Sequence, residues 1–132
     1  MVKILLLVTL LAGVTTAGWD PQALKDENTL DFLTVGPEEG EHWSRVWLVV
    51  IDGRVYLRLG NRAAERMKKN TAAPYVKVRV AGQELERVKV EAVPEMTEKV
   101  GAAMGEKYWS DVLIRYFRHP LVVRLAPEVA KP

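Results

Sequence analysis

Arginine recurs along one unusually apolar stretch, HWSRVWLVVIDGRVYLRLGNR, which runs from His42 to Arg62 and also carries Arg45, Arg54 and Arg58. A guanidinium presents a planar fork of N–H donors that matches the oxygens of a phosphate or a carboxylate, so these arginines could bind an anion. On a strand, however, arginine also serves to keep one face of a sheet in water. The spacing favours this surface role for Arg54 and leaves both roles open for Arg58.

The sequence GNRAAERMKKN, at the end of this stretch, predicts a short helix with Asn61 as its N-cap. The N-terminal end of a helix carries a partial positive charge, so Arg62 in the first turn lowers stability unless an anion binds there. Backbone N–H groups from Gly60 to Arg62, together with a guanidinium, are the donors that a phosphate takes at such an end. Arg62 is therefore a candidate for ligand contact, whereas Lys68 and Lys69 suit the other end of the helix.

Tryptophan is the residue type here that best suits a flat ligand. Trp43, Trp47 and Trp109 could stack on a conjugated ring, although such side chains also fill cores and dimer interfaces. His42 and His119 lie far apart with no ligand spacing around them, so no metal site is expected. No serine stands in a nucleophile-elbow pattern and no acid–base pair is evident, so no catalytic residue is assigned. A bound cofactor would have to supply any chemistry.

Strands have to position these residues. Val46 to Ile51 is continuously apolar, which is typical of a strand covered on both faces. Asp52 and Gly53 predict a two-residue type I′ turn, because both tolerate a positive φ. The return strand alternates, with Val55, Leu57 and Leu59 expected to face the core and Arg54, Tyr56 and Arg58 the opposite side.

The flanking segments add further strands and helices. Asp20 followed by Pro21 predicts a helix start, TLDFLTVG and PYVKVRV predict strands, and LVVRLAP predicts a closing strand. QELERVKVEAV predicts a strand with a bulge near Glu86 and with Val88, Val90 and Ala92 facing inward.

A third helix is expected from Pro94 to about Trp109, with a short one after Ser110. The hairpins imply antiparallel pairing. The predicted fold class is therefore mainly β with flanking helices (α+β), built as a closed or partly closed antiparallel β-barrel.

Composition bounds the class of protein and its partners. The chain has 132 residues, which fits one domain, and its net charge of +2 from 19 basic and 17 acidic side chains is too even for a nucleic-acid surface. It has no cysteine, which excludes disulfides, thiolate metal sites and thiol nucleophiles.

Residues 1–17 have the pattern of a signal peptide. MVK places a positive charge at the N-terminus, ILLLVTLLAGV is an apolar run too short to span a bilayer comfortably, and TTA offers small residues before Gly18. We expect cleavage after Ala17, export to the periplasm or the cell exterior, and a single mature domain at 18–132 that does not contact the membrane. An uncleaved N-terminal anchor is the alternative.

The stretches RVWLVVIDGRVYLRLGNRAAERMKKN, YVKVRVAGQELERVKVEAV and EKYW, in that order, resemble the split β-barrel of the pyridoxamine 5′-phosphate oxidase-like flavin proteins. The similarity is greatest to small uncharacterised members of that superfamily and covers Leu30 to Pro127. It rests on a tryptophan in the first long strand, a YLR-like second strand and a KY pair at the end of the later helix.

The resemblance implies a homodimer that binds FMN, or in some branches the deazaflavin F420, at the subunit interface. It places the flavin ring along Arg45, Val46 and Trp47, and the cofactor phosphate at Arg58, Gly60, Asn61, Arg62 and Arg66. The chain departs from the family pattern at Leu59, where a hydroxyl residue often meets the phosphate. In addition, Arg62 or Arg66 has to replace the usual helical lysine.

Three functions stay open, and the sequence does not decide whether the protein is an enzyme. The first is a flavin-binding reductase or oxidase. The second is a non-catalytic module of the same fold that holds another small planar or phosphorylated ligand. The third is a structural dimer without a ligand.

Overall fold

The computed structural model describes residues 19–108 and 121–128. In order, these form α1 (Pro21–Leu24), β1 (Thr29–Gly36), β2 (Gly40–Ile51), β3 (Arg54–Leu59), α2 (Asn61–Lys69), β4 (Tyr75–Val80), β5 (Gln83–Ala92), a 3₁₀ helix (Pro94–Met96), α3 (Thr97–Lys107) and β6 (Leu121–Pro127). The predicted order of elements is confirmed. The predicted signal peptide 1–17, Trp109 and the short helix after Ser110 lie outside the described residues.

The strands form a closed antiparallel barrel in the order β1–β2–β3–β6–β5–β4, with β4 paired back onto β1. β6 lies between β3 and β5 and pairs with both of them. Closure means that each of these strands has a neighbour on both sides, so none presents an open edge along its whole length. The predicted antiparallel barrel is therefore confirmed.

Two details of the strand connections follow the sequence closely. Asp52 and Gly53 have φ values of 50° and 73°, which confirms the predicted type I′ turn between β2 and β3. On β4 and β5, the pairing shifts from Val76 opposite Val88 to Val78 opposite Leu85. β5 therefore holds an extra residue between Leu85 and Val88, which confirms the bulge predicted near Glu86.

Alternate side chains of the strands fill the barrel interior, where Phe32, Leu48 and Val78 are completely buried. The helices α1 and α2 close opposite ends of this interior. Leu24 of α1 joins the interior cluster on the side of the β2–β3 turn, and Ala64 of α2 joins it beyond the other end of β3.

The outer side of the barrel at β2, β3 and β6 is covered by α3. Val49 of β2 and Tyr56 of β3 pack there against Val100 and Met104 of α3. The expectation that Val46 to Ile51 is covered on both faces is confirmed for this part of β2, since Leu48 points inward, Val49 points outward and both are buried. The alternation predicted for β3 is confirmed, since Val55, Leu57 and Leu59 face the interior and Tyr56 faces outward, where α3 leaves only 3% of it exposed.

Two expectations are corrected. The N-cap of α2 is Gly60, and Asn61 is the first helical residue and makes no side-chain cap. Ala92, expected inside the barrel, is exposed at the end of β5. Within residues 19–108 and 121–128, none of the helices combines the length and the apolar character needed to cross a bilayer.

Candidate functional site

β2 changes its pairing partner partway along its length. It pairs with β1 up to Trp47 and with β3 from Leu48 onwards, where Leu48 lies opposite Leu57. β3 runs on beside β6 beyond that point. β2 and β3 therefore separate, and we call this separation the β2–β3 split. Trp47 and Arg58 are the first residues on its two sides.

The structure brings most of the predicted site residues to this split. Arg45, Val46 and Trp47 lie on its β2 side, Arg58 lies on its β3 side, and Gly60, Asn61 and Arg62 follow at the start of α2. Arg66 lies one turn further along α2. Their contact with a ligand stays a prediction, but residues chosen from separate segments of sequence flank one feature of the barrel.

Arg45 and Val46 occupy opposite faces of β2. Val46 turns its side chain inward, where it packs against the barrel interior. The Arg45 side chain is 72% exposed and donates hydrogen bonds of 2.8 and 3.2 Å to the two carboxylate oxygens of Asp31 on β1. This pairing raises the pKa of Arg45, chiefly through the hydrogen bond. A ligand anion at Arg45 would therefore compete with Asp31.

Trp47 has a partner on one face of its ring. The ring of Tyr108, which follows α3, stacks on the indole with centroids 4.2 Å apart and planes within 9° of parallel. A ligand can therefore stack on Trp47 only from the opposite face. Trp43, the other tryptophan on β2, also has a contact on its ring, because the Arg79 guanidinium lies 4.0 Å from the ring centre.

Arg58 points outward from β3 and is half-buried beneath α3. A Cβ added to Gly101 of α3 would lie 3.9 Å from a terminal nitrogen of the Arg58 guanidinium. α3 therefore passes directly over this arginine, which is not on an open solvated face. Leu59, the next residue, is completely buried in the interior cluster and cannot take the place of a phosphate-binding hydroxyl.

The N-terminus of α2 is open to an anion. Its N-cap, Gly60, supplies no side chain, and the first turn contains no acidic residue. Arg62 lies in that first turn, and within residues 19–108 and 121–128 no salt bridge includes it. Backbone N–H groups of the first turn and a guanidinium without a counter-ion are the donors that a phosphate needs.

A cleft of about 370 Å³ lies beside α2, between this helix and the β1–β2 turn, and we call it the α2 cleft. Its lining comprises Thr34, Gly36, Pro37, Glu38, Glu39, Arg62, Glu65, Arg66 and Lys69. Arg66 is occupied there by Glu39, to which it donates hydrogen bonds of 3.1 to 3.4 Å. This hydrogen bonding from Arg66 is the main reason why the pKa of Glu39 is lowered. Arg66 is thus less available to a ligand than Arg62.

Lys107 and Tyr108 are the residues of this region that sequence reasoning left without a role. The Tyr108 hydroxyl lies 2.6 Å from the carbonyl oxygens of Asn28 and Leu48, and the Lys107 ammonium donates to the carbonyls of Glu27 and Leu48. Burial raises the pKa of Tyr108 to about 12 and lowers that of Lys107. The available signal was the KY pair of EKYW, but nothing near it in sequence names its partners.

No protein-family model matches the chain, and no curated protein does so either. Solved structures do match in shape. The heme storage protein HutZ of Vibrio cholerae has a TM-score of 0.63 at 18% identity, covering 83% of this chain and 87% of its own. An F420-H2-dependent reductase, FDR-A, has a TM-score of 0.55 at 16% identity, covering 74% and 93%. A FAD-binding protein of Mesorhizobium loti has a TM-score of 0.54 at 15% identity, covering 81% and 84%.

A further match is a protein described as a domain-swapped dimer, with a TM-score of 0.56 at 16% identity over 95% of this chain and 96% of its own. At these identities the likeness shows the fold and nothing finer. The matches extend over most of each partner, and they agree with the closed antiparallel barrel and its flanking helices. The chain therefore has the split β-barrel fold of the pyridoxamine 5′-phosphate oxidase-like proteins.

Proposed function

We propose that the mature chain binds FMN, or a related flavin, at the β2–β3 split and acts as an exported, homodimeric oxidoreductase or flavin carrier. The observation that carries the proposal is the arrangement at the split. A stackable indole stands on one side, and an uncapped helix N-terminus with Arg62 begins on the other. These are the two kinds of contact that a phosphorylated flat ring requires.

The phosphate end of the ligand is assigned to the start of α2. First-turn N–H groups and the Arg62 guanidinium would hold the phosphate, and the bound anion would remove the unfavourable placement of a cation at the positive end of the helix. Arg58 is close by in sequence, on the strand that leads into this helix. Leu59 offers no hydroxyl, so the chain's own donors at this end are backbone N–H groups and guanidinium groups.

The ring end is assigned to the β2 side of the split. Tyr108 covers one face of the Trp47 indole, so the ligand ring would stack on the other, and Arg45 lies two residues earlier on the same outer face of the strand. Bound flavin would supply the electron transfer. The chain's own residues would bind it, orient its ring and shield it from water.

The structural neighbours support this choice of ligand class. Proteins of the same fold are described as storing heme, as depending on F420-H2 and as binding FAD, all of which are flat conjugated groups. The domain-swapped dimer among them supports assembly as a pair of chains. The second candidate, a non-catalytic module for another planar or phosphorylated ligand, rests on the same comparisons, since storing heme is not a redox turnover.

The phosphate contact can be tested with two ligands and two arginine variants. FMN and riboflavin differ only in the phosphate, and binding of either can be followed by flavin fluorescence and by the melting temperature of the purified protein. We expect FMN to bind more tightly than riboflavin, and Arg62→Ala to weaken FMN by tenfold or more because a charge-assisted hydrogen bond contributes about 1.5–3 kcal/mol. Riboflavin binding should be unchanged in this variant.

Arg54→Ala is the matched control, because Arg54 is exposed at the opposite end of β3. It should leave the affinity for both ligands as it was. A melting temperature that responds to neither flavin would refute the flavin assignment. A response to heme or to another planar ligand instead would favour the non-catalytic module.

Export and dimerisation belong to the same proposal, and each can be measured directly. A chain that crosses a membrane unfolded takes up its cofactor afterwards, so FMN should be added to the purified protein rather than expected to remain bound. The intact mass of protein recovered from the periplasm or the medium should correspond to a chain that begins at Gly18. Light scattering should give twice that mass, and the mass of a single chain would contradict the dimer.

A further inference from the structure

Tyr108 and Lys107 converge on the point where β2 changes partner. The Tyr108 hydroxyl accepts a hydrogen bond of 3.3 Å from the Leu48 N–H and lies 2.6 Å from the carbonyl oxygens of both Leu48 and Asn28, so its single proton is donated to one of these carbonyls at a time. The Lys107 ammonium donates to the same Leu48 carbonyl at 3.1 Å and also to the Glu27 carbonyl. One end of α3 is thereby tied to β2 and to the segment before β1.

These bonds involve groups that are costly to leave unpaired. Tyr108 is 8% exposed, and its ring lies against Trp47 while its hydroxyl reaches the backbone of the residue after Trp47. A buried hydroxyl without a hydrogen-bond partner is unfavourable, so the Tyr108 hydroxyl is held at this place. The Lys107 ammonium lies 5.4 Å from the Tyr108 ring centre, which adds a cation–π contact. The ring of Tyr108 has little freedom to rotate away.

We infer that Tyr108, held by these bonds and supported by Lys107, is a positioning residue for the ligand ring. It covers one face of the Trp47 indole, fixes the plane of that indole and presents its other face to a flat conjugated ring at the β2–β3 split. The inference rests on the proposed function and adds to it. It makes the Tyr108–Trp47 stack the element that selects for the ring, whereas the start of α2 selects for the phosphate.

Ring binding at the Tyr108–Trp47 stack and phosphate binding at the start of α2 can be measured separately. A change at Tyr108 should weaken ligands that contain the ring and leave ligands that contain only the phosphate as they were. A change at Arg62 should weaken every ligand that carries the phosphate, with or without the ring, and should leave riboflavin as it was. Because the stack is nearly parallel, it should also give the protein a near-ultraviolet circular dichroism signal that depends on Tyr108.

The experiment compares Tyr108→Leu and Tyr108→Phe with FMN and with ribose 5-phosphate as probes. Tyr108→Leu, which removes the ring that holds the Trp47 indole in its plane, should bind FMN about tenfold more weakly, because the indole then no longer presents a fixed face for the ligand ring to stack on. Tyr108→Phe keeps the ring and should lie between Tyr108→Leu and the parent. Ribose 5-phosphate affinity should be the same in all three, which also verifies that the variants are folded.

Tyr75→Phe is the matched control, because Tyr75 also has a hydrogen-bonded hydroxyl, to Glu128, on the outer face of β4. It should change neither FMN affinity nor the near-ultraviolet signal. If the parent protein binds FMN and Tyr108→Leu binds it equally well, the positioning role is wrong and the proposed function stands. If Tyr108→Leu loses both probes to the same extent, Tyr108 only supports the fold. If the parent binds no FMN, both proposals fall.

Discussion

Replacing Gly60 by aspartate should make the protein more stable and at the same time prevent it from binding FMN. Gly60 is the N-cap of α2, with an extended backbone at φ −76° and ψ −179°, which any residue can adopt. A Cβ added at this position meets no heavy atom within 4 Å. Aspartate can therefore enter without strain and accept a hydrogen bond from the first turn, a bond that the helix now lacks.

The expected stabilisation is small. An aspartate cap in place of glycine gains a few tenths of a kcal/mol, a net difference that already includes the aspartate charge near the positive end of the helix and the greater freedom of glycine in the unfolded chain. This corresponds to a rise in melting temperature of about 1–3 °C for a domain of this size.

The same carboxylate would occupy the N–H groups assigned to the ligand phosphate and repel it. FMN affinity should therefore fall more than tenfold, while riboflavin affinity should hold. Circular dichroism melts and flavin fluorescence titrations measure the two effects. Gly60→Ala is the control, since alanine removes the glycine but supplies no cap, and aspartate should exceed it by about 1 kcal/mol. An aspartate variant that melted no higher than the alanine variant, or that bound FMN as the parent does, would refute this account of the helix start.

Two other outcomes are expected. Met104→Ala should lower the free energy of unfolding in urea by about 2–5 kcal/mol, because Met104 is 1% exposed between α3 and the barrel. Met96 is only half-buried, so Met96→Ala should lower this free energy clearly less. Equal losses would contradict the packing described. Tyr108 has its pKa raised from 10.0 to about 12, so the folded state favours the neutral phenol, and its contribution to stability should be complete below pH 10 and disappear as the pH rises from 10 to 12. Urea unfolding at pH 9 and 11 should show this loss in the parent and a smaller one in Tyr108→Phe.

Local patterns predicted most of the fold. The Asp52–Gly53 turn, the bulge on β5 and the order of elements each depend on a few neighbouring residues, and each was predicted correctly. Tyr56 shows what local reasoning leaves open. Alternation along a strand separates the two faces of a sheet, but it does not reveal whether the second face meets water or a helix. α3, which buries Tyr56, comes some forty residues later in the chain.

The residues of the candidate site were predicted better than the geometry that brings them together. Arg62 and Trp47 could be chosen from their residue types and their places in a helix and a strand. The point at which β3 leaves β2 could not be chosen in this way, because it depends on β6, a strand much later in the chain, continuing beside β3. The hydrogen bonds of Tyr108 join residues 60 and 80 positions apart, and the KY pair carries no local sign of them.

The position of β6 has a consequence for how the molecule can assemble. β6 follows all the other described strands in the chain, yet it lies between β3 and β5 and pairs with each over five residues. Before it docks, the other strands can form only an open sheet whose two borders, β3 and β5, carry unpaired backbone groups. Such borders invite pairing with other chains, and a late closing strand slows folding because its contacts are distant in sequence. Aggregation should therefore compete with folding during the interval before β6 is in place.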